Sequence, residues 1–365
     1  MNNRSKTTGN HYAALDALRG IAAISVLFYH FHEWLGQKWL APNARFAVDF
    51  FFCLSGYVLS AAYVHRIGCD LKKFDLIRTR LIRLMPIIFL GTAISALYYA
   101  VRILVLKYPL DPGLLSFATL LGLLNLPFFD APKIIGGPQV FPLNGPQYTL
   151  FLELVVNLFW IMTYRYSAIK INIAIILISV VLMFYCGVGG DTAETFWMGF
   201  PRVFGAYYLG VIAFELDSQF RQLSLRQIRA LFAASCITTL SIFYWPTSLP
   251  NGVGIIWGFA LSPVIIVCGA RLNLSGSIRW ASNFLGQISY PVYALQFPVF
   301  LWMNGVYQQL LGCRNSGALM VIVTIALLCV SWVVLRYYDV PVRRFLMRLN
   351  KNGRLEPAGV EQRML

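Results

Sequence analysis

Residues 15–34 read LDALRGIAAISVLFYHFHEW. The run is apolar enough to sit in lipid, yet it carries Arg19 near one end and His30 near the other. On one α-helix the eleven steps between them measure about 16 Å, at 1.5 Å per residue. A bilayer's hydrocarbon core is about 30 Å thick, so the two groups stand at very different depths. Ionisable groups inside a membrane are costly and mark function by default. Each of these two needs a reason.

The whole chain shares the membrane character of that run. Of 365 residues, 58% are hydrophobic and only 12% are charged, with a mean hydropathy of +0.64. A soluble domain of this size needs far more polar surface. The formal net charge of +15 does not indicate nucleic acid, because the positive residues lie between apolar runs rather than in one compact basic domain. The seven cysteines are scattered without C-x-x-C spacing, which argues against a disulfide framework or a metal site. The polar N-terminus is followed by no small-residue cleavage site, so the first apolar run reads as a retained span.

Ten mainly apolar segments can be placed, at roughly 15–35, 47–64, 84–106, 147–164, 171–187, 198–215, 229–245, 252–270, 284–305 and 317–338. The expected fold is therefore an all-α polytopic membrane protein of about ten helices. Most Lys and Arg fall on one side of this arrangement: Arg4 and Lys6, the group from Arg66 to Arg83, and the tail from Arg336 to Arg363. By the positive-inside rule that side is cytoplasmic, which gives an N-in, C-in topology. The domain plan is a cytoplasmic tail over 1–14, one transmembrane domain over 15–340, and a basic cytoplasmic tail over 341–365. A Pro- and Gly-rich outer loop spans 107–146, within which 114–129 reads as a short re-entrant or interfacial piece, with an eleventh span as the alternative.

Topology assigns approximate depths. Arg19 falls in the inner third of span one and His30 in its outer third. Asp49 in span two, Glu153 in span four and Arg202 in span six are expected in the same outer layer as His30. A histidine can accept a proton from a hydroxyl if a carboxylate orients it and stabilises the imidazolium. Asp49 or Glu153 can fill that place, and Glu33 is a third candidate because i and i+3 share a helix face. At the inner mouth, Arg80 and Arg83 of "RTRLIRLMP" can face one way together and grip phosphates. "HFH" is not a metal pair, since i and i+2 point apart on a helix, and no metal site is expected. Ser55 in "CLSGY" reads as a helix-packing residue rather than a nucleophile.

These blocks, in this order, resemble the integral-membrane acyltransferase family 3, bacterial O-acyltransferases acting on surface and secreted glycans and some small molecules. "LDALRGIAAISVLFYH" is similar to the family's Arg-x10-His signature, with Arg19 and His30 in the matching positions. "VDFFFCLSGYVL" resembles its V-D-x-F-F-x-L-S-G block, carrying Asp49, Ser55 and Gly56. "RTRLIRLMP" resembles its arginine-rich element, and "YTLFLELVVNLFW" the block that carries over Glu153. "PRVFGAYYLG", "LGQISYPVYALQFPV" and "YYDVPVRR" resemble later blocks. The sequence departs from the pattern at Tyr148, Gln296 and Asp339, where Trp, His and Glu are usual. Gln296 cannot titrate, which leaves His30 as the base.

The resemblance implies transfer of an acyl group from cytoplasmic acyl-CoA, with acetyl-CoA the expected donor, to a hydroxyl of a glycan at the outer face of a bacterial inner membrane. It implies no permanently bound cofactor. His30, Asp49, Glu153 and Arg202 are the expected catalytic set, and Arg19, Arg80 and Arg83 the expected acyl-CoA ligands. The partners implied are acyl-CoA, a glycan or other hydroxyl acceptor and membrane lipid, with no nucleic acid. A transporter or flippase of a glycan or lipid-linked precursor suits a charged multi-span bundle too, although no internal duplication is visible. A membrane glycosyltransferase is a further rival, but no acidic loop motif supports it.

Overall fold

The computed structural model describes residues 12–37, 39–64, 72–217, 222–312 and 316–351. Arg4, Lys6, His11, Arg66, Cys69, Cys313, Arg314, Arg354 and Arg363, together with most of the expected N-terminal tail, lie outside the described residues. Among the described residues the chain is helical, with one isolated antiparallel bridge between Gln139 and Thr192.

All ten apolar runs fall on helices. They are α1 (Ala13–Leu35), α2 (Ala47–Tyr63), α3 (Lys73–Leu106), then the short α4 (Pro112–Leu123), α5 (Gln147–Thr163), α6 (Ile169–Cys186), α7 (Gly199–Glu215) and α8 (Leu225–Phe243). The chain continues through α9 (Asn251–Ile256), a π-helical turn and α10 (Ser262–Ala270), then α11 (Gly276–Leu311) and α12 (Ser316–Val334). A second π-helical turn, Leu335–Asp339, leads into α13 (Val340–Lys351). Among the described residues, six helical segments are long and apolar enough to cross a membrane by length and composition: 13–35, 44–63, 73–106, 169–186, 251–270 and 317–349. α5 and α7 have 17 residues each. Part of the expected C-terminal tail is helical, because α13 occupies 340–351.

Local chemistry explains several boundaries. Gly36, at φ +69°, ends α1 in the left-handed conformation that glycine adopts without strain. Asp111 caps α4, accepting from Leu114 N at 2.7 Å, and Pro112 sits in the first turn. Ser224 and Gln227 form a capping box on α8. α4 has 12 residues, about 18 Å of helix, too short to cross a bilayer. Segment 107–146, called the outer segment after its expected side, is thus partly ordered as helix.

α1 packs chiefly against α11, and α2 against α7. The α2–α7 crossing depends on two glycines. A Cβ on Gly56 would strike the Tyr207 carbonyl, and one on Gly210 would strike the Cys53 carbonyl. Backbone thus meets backbone where side chains elsewhere keep helices apart. Leu27, Phe31, Ile87, Ile88 and Leu295 lie in the core between α1, α3 and α11. α6 and α12 instead expose rows of large apolar residues, among them Leu177, Ile178, Phe184, Val321 and Ile325, as lipid-facing helices do.

The outer segment is fastened to the bundle by buried amides. Gln147 donates through Nε2 to the Gly122 carbonyl at 2.8 Å and to Asn125 Oδ1 at 3.0 Å, and accepts from Thr92 Oγ1 at 3.2 Å. Asn144 Nδ2 donates to the Ala294 carbonyl on α11 at 3.0 Å. That carbonyl is the one Pro298, lying inside α11, cannot serve, because proline lacks the i→i−4 N–H.

Candidate active site

Four arginines from three helices gather at one end of the bundle. Arg19, on α1, donates to Asp16 Oδ1 at a long 3.4 Å. Arg80, on α3, is buried and lies over the Tyr63 ring at 5.8 Å. Arg83, one turn further along α3, is within electrostatic reach of Arg19, Arg80 and Arg343. Arg343, on α13, donates from Nε to Asp339 Oδ1 at 2.6 Å and lies over the Tyr290 ring at 5.9 Å. Arg80 and Arg83 do share a region, as their spacing predicts. In the sequence Arg343 is only one arginine of a basic tail. Its membership depends on the continuation of the last span through the π-helical turn, which its basic surroundings do not announce. Like charges this close repel, so the cluster suits an anion with several negative oxygens.

The next polar group is Ser55, which donates from Oγ to Glu153 Oε1 at 2.9 Å and lies 3.5 Å from Asn157 Oδ1. Ser55 and Glu153 are both half-buried. Gly56 makes the close helix contact, and Ser55, expected to serve packing, hydrogen-bonds a carboxylate across α2 and α5. Glu153 also lies within electrostatic reach of Arg19 and Arg80. Ser55 is six residues beyond Asp49 on α2, about 9 Å of helix. Glu153 therefore sits between the arginine end and the level of Asp49, rather than in the layer of Asp49 where it was expected.

Away from the arginine end, in the layer expected to be outer, Asp49 and Arg202 bind each other. Arg202 Nε donates to Asp49 Oδ1 at 2.7 Å and Nη2 to Oδ2 at 3.1 Å, and Nη2 also donates to the Arg45 carbonyl at 2.8 Å. Arg45 in turn donates from Nη2 to the Leu249 carbonyl at 2.7 Å. The adjacent Asn43 donates from Nδ2 to the Thr247 carbonyl at 2.9 Å and accepts from Leu249 N at 2.7 Å. The expected outer-layer pair is thus built into a frame that ties the start of α2 to α7 and to the segment before α9.

His30 is half-buried, and its ring stacks on Trp34 with centroids 4.7 Å apart and planes 8° apart. Tyr29 flanks it at 5.4 Å. Among the described residues neither Asp49 nor Glu153 hydrogen-bonds to His30, since each is engaged as described above. Glu33 is exposed and lies beside Tyr29. His32 turns its Nδ1 to the Gln37 carbonyl at 3.3 Å. The i+4 spacing of Trp34 from His30 on α1 is the signal in the sequence for this contact. Gln296 is fully buried, with both side-chain amide atoms unpartnered.

The arrangement thus has an arginine end, a Ser–Glu contact in the middle and, further along α1, an imidazole without a hydrogen bond among the described residues. Such a path can bind a polyanion at one end and accept a proton at the other. Comparisons with known proteins agree with acyl chemistry. A family model described as an acyltransferase domain matches residues 12–336. "Protein 2 in picA locus" from Rhizobium radiobacter is 32% identical over 189 residues, 49% of this chain and 96% of that protein. "Putative peptidoglycan O-acetyltransferase YrhL" from Bacillus subtilis (strain 168) is 25% identical over 344 residues, covering 83% of this chain. The match spans only 51% of that relative's length. No solved structure matches. On the family match across nearly its whole length, the chain belongs to the acyltransferase 3 family.

Proposed function

We propose that the protein is a membrane O-acyltransferase that takes an acyl group, expected to be acetyl, from cytoplasmic acyl-CoA and delivers it to a hydroxyl of a surface or secreted glycan. In this reading ten helices cross the inner membrane with both termini inside. The observation that carries it is the layout along α1: Arg19 belongs to a four-arginine cluster, and His30, about 16 Å further along the helix, makes no hydrogen bond among the described residues. The phosphates of acyl-CoA bind Arg19, Arg80, Arg83 and Arg343 by charge-assisted hydrogen bonds. The extended arm of the donor passes Ser55 and Glu153, and the thioester reaches the level of His30.

His30 removes the proton of the acceptor hydroxyl as its oxygen attacks the thioester carbonyl, the ordinary work of a histidine general base. Asp49 and Arg202 act by holding the outer frame that surrounds this step. The B. subtilis relative's name joins acetyl transfer to a glycan, which favours that donor and acceptor class.

The test supplies labelled acetyl-CoA to the cytoplasmic face of sealed vesicles containing the purified protein and a glycan extract. Label on glycan, lost in the His30→Ala variant, is the expected result. Glycan movement without label would make the protein a transporter and end this reading.

A further inference from the structure

We propose that Trp34 is the positioning residue of His30, its indole face fixing the imidazole and stabilising the imidazolium formed while the acceptor is deprotonated. The inference rests on the acyl-transfer reading for the reaction it serves. A carboxylate does this work in the Ser-His-Asp arrangement, and no carboxylate is bonded to His30 among the described residues.

The geometry points to the indole. His30 and Trp34 are four residues apart on α1 and share one face. A centroid separation of 4.7 Å at 8° is within the range where a cation over an aromatic ring is stabilised, and indole is the best such ring. Trp34 is itself held by α11, through Phe300 at 4.4 Å and 29° and Phe297 at 5.5 Å and 64°. A face-on stack occupies a face of the imidazole and leaves both ring nitrogens at the edge, where a hydroxyl can meet them.

The ionisable groups around the stack have other partners or positions. On α1, His32 turns to the Gln37 carbonyl and Glu33 lies beside Tyr29. Arg45 and Tyr148 approach Tyr29 from neighbouring segments. On α2, Asp49 is bound by Arg202. On α11, Tyr293 is hydrogen-bonded with Thr149 at 2.8 Å, and the rings against Trp34 are both phenylalanines.

The step balances without further reagents. The acceptor oxygen bonds to the acyl carbon, its proton passes to His30, and the C–S bond of acyl-CoA breaks. The imidazolium then gives that proton to the CoA thiolate, releasing CoA thiol and neutral His30. Trp34 acts during the interval in which the ring is charged.

The experiment replaces Trp34, in the full chain, by tryptophans carrying one, two and three fluorines. Fluorine withdraws density from the ring face with little change in size, so the fold is kept. Diethyl pyrocarbonate, which modifies neutral imidazole, is the probe, and mass spectrometry reads the modified fraction of His30 across a pH series. The modification midpoint is expected to move to lower pH with each added fluorine, and transfer to slow by about 2- to 30-fold across the series. A midpoint that stays fixed would overturn the proposal, whatever the activity does. A moving midpoint in a protein that transfers no acyl group even with native Trp34 would uphold the stack's hold on His30 and overturn the acyl-transfer reading instead.

Discussion

Arg202 and Asp49 hold each other through two parallel hydrogen bonds of 2.7 and 3.1 Å, with both side chains almost fully buried. A guanidinium fork matched to a carboxylate is the strongest form of such a pair. With the Arg45 carbonyl as a third contact, the pair joins α2 and α7 at their N-terminal ends. Its effect is on the frame around the chemistry.

Breaking that pair leaves one buried charge without its partner. Asp49→Asn is expected to destabilise the protein by about 3–5 kcal/mol, read as a lower thermal unfolding temperature in detergent. The double variant Asp49→Asn with Arg202→Met should recover much of the loss. A double variant as unstable as Asp49→Asn alone would refute the pairing.

His30→Ala is expected to behave oppositely. Among the described residues the imidazole makes no hydrogen bond, so the unfolding temperature should stay close to that of the native protein. Acyl transfer should fall by about 10²–10⁴-fold, the usual worth of a general base. Comparing the two variants in one unfolding and one transfer assay separates frame from chemistry.

Arg83→Ala and Arg343→Ala should each raise the KM for acyl-CoA and leave the KM for the acceptor unchanged. Loss of one charge-assisted contact, worth about 1.5–3 kcal/mol, corresponds to roughly a tenfold to hundredfold rise. Equal effects on both substrates would show that these residues support the fold rather than the donor site.

Gly56→Val forces a side chain into the Tyr207 carbonyl at the α2–α7 crossing. Overpacking costs about 1–3 kcal/mol or more where the obstacle is backbone, so the yield of monodisperse protein should drop sharply. Gly252→Ala is the control, because an added Cβ there comes only to 3.8 Å from Phe184. It should unfold at the native temperature.

The helices were readable in the sequence because lipid burial demands long apolar runs, and all ten runs lie on helices. Arg80 and Arg83 were readable as partners because helical spacing fixes which residues share a face. Contacts between helices were not. Nothing in "VDFFFCLSGYVL" or "PRVFGAYYLG" states that Asp49 meets Arg202 rather than His30, since pairing depends on how α2 and α7 rotate about their glycine crossing. Glu153 was assigned too shallow a depth because counting from a span's end ignores where that helix starts relative to its neighbours. Arg343 was hidden by its surroundings, since one arginine in a basic tail looks like the next.

The bond from Asn144 to the Ala294 carbonyl has a mechanical meaning. Pro298 opens a gap in the ladder of α11, and a residue of the outer segment fills it. Three residues past Ala294 begins the Phe297–Phe300 stretch that clamps Trp34. The outer segment is therefore a splint set on a weakened strut: whatever strains it bears on the ring against which His30 rests.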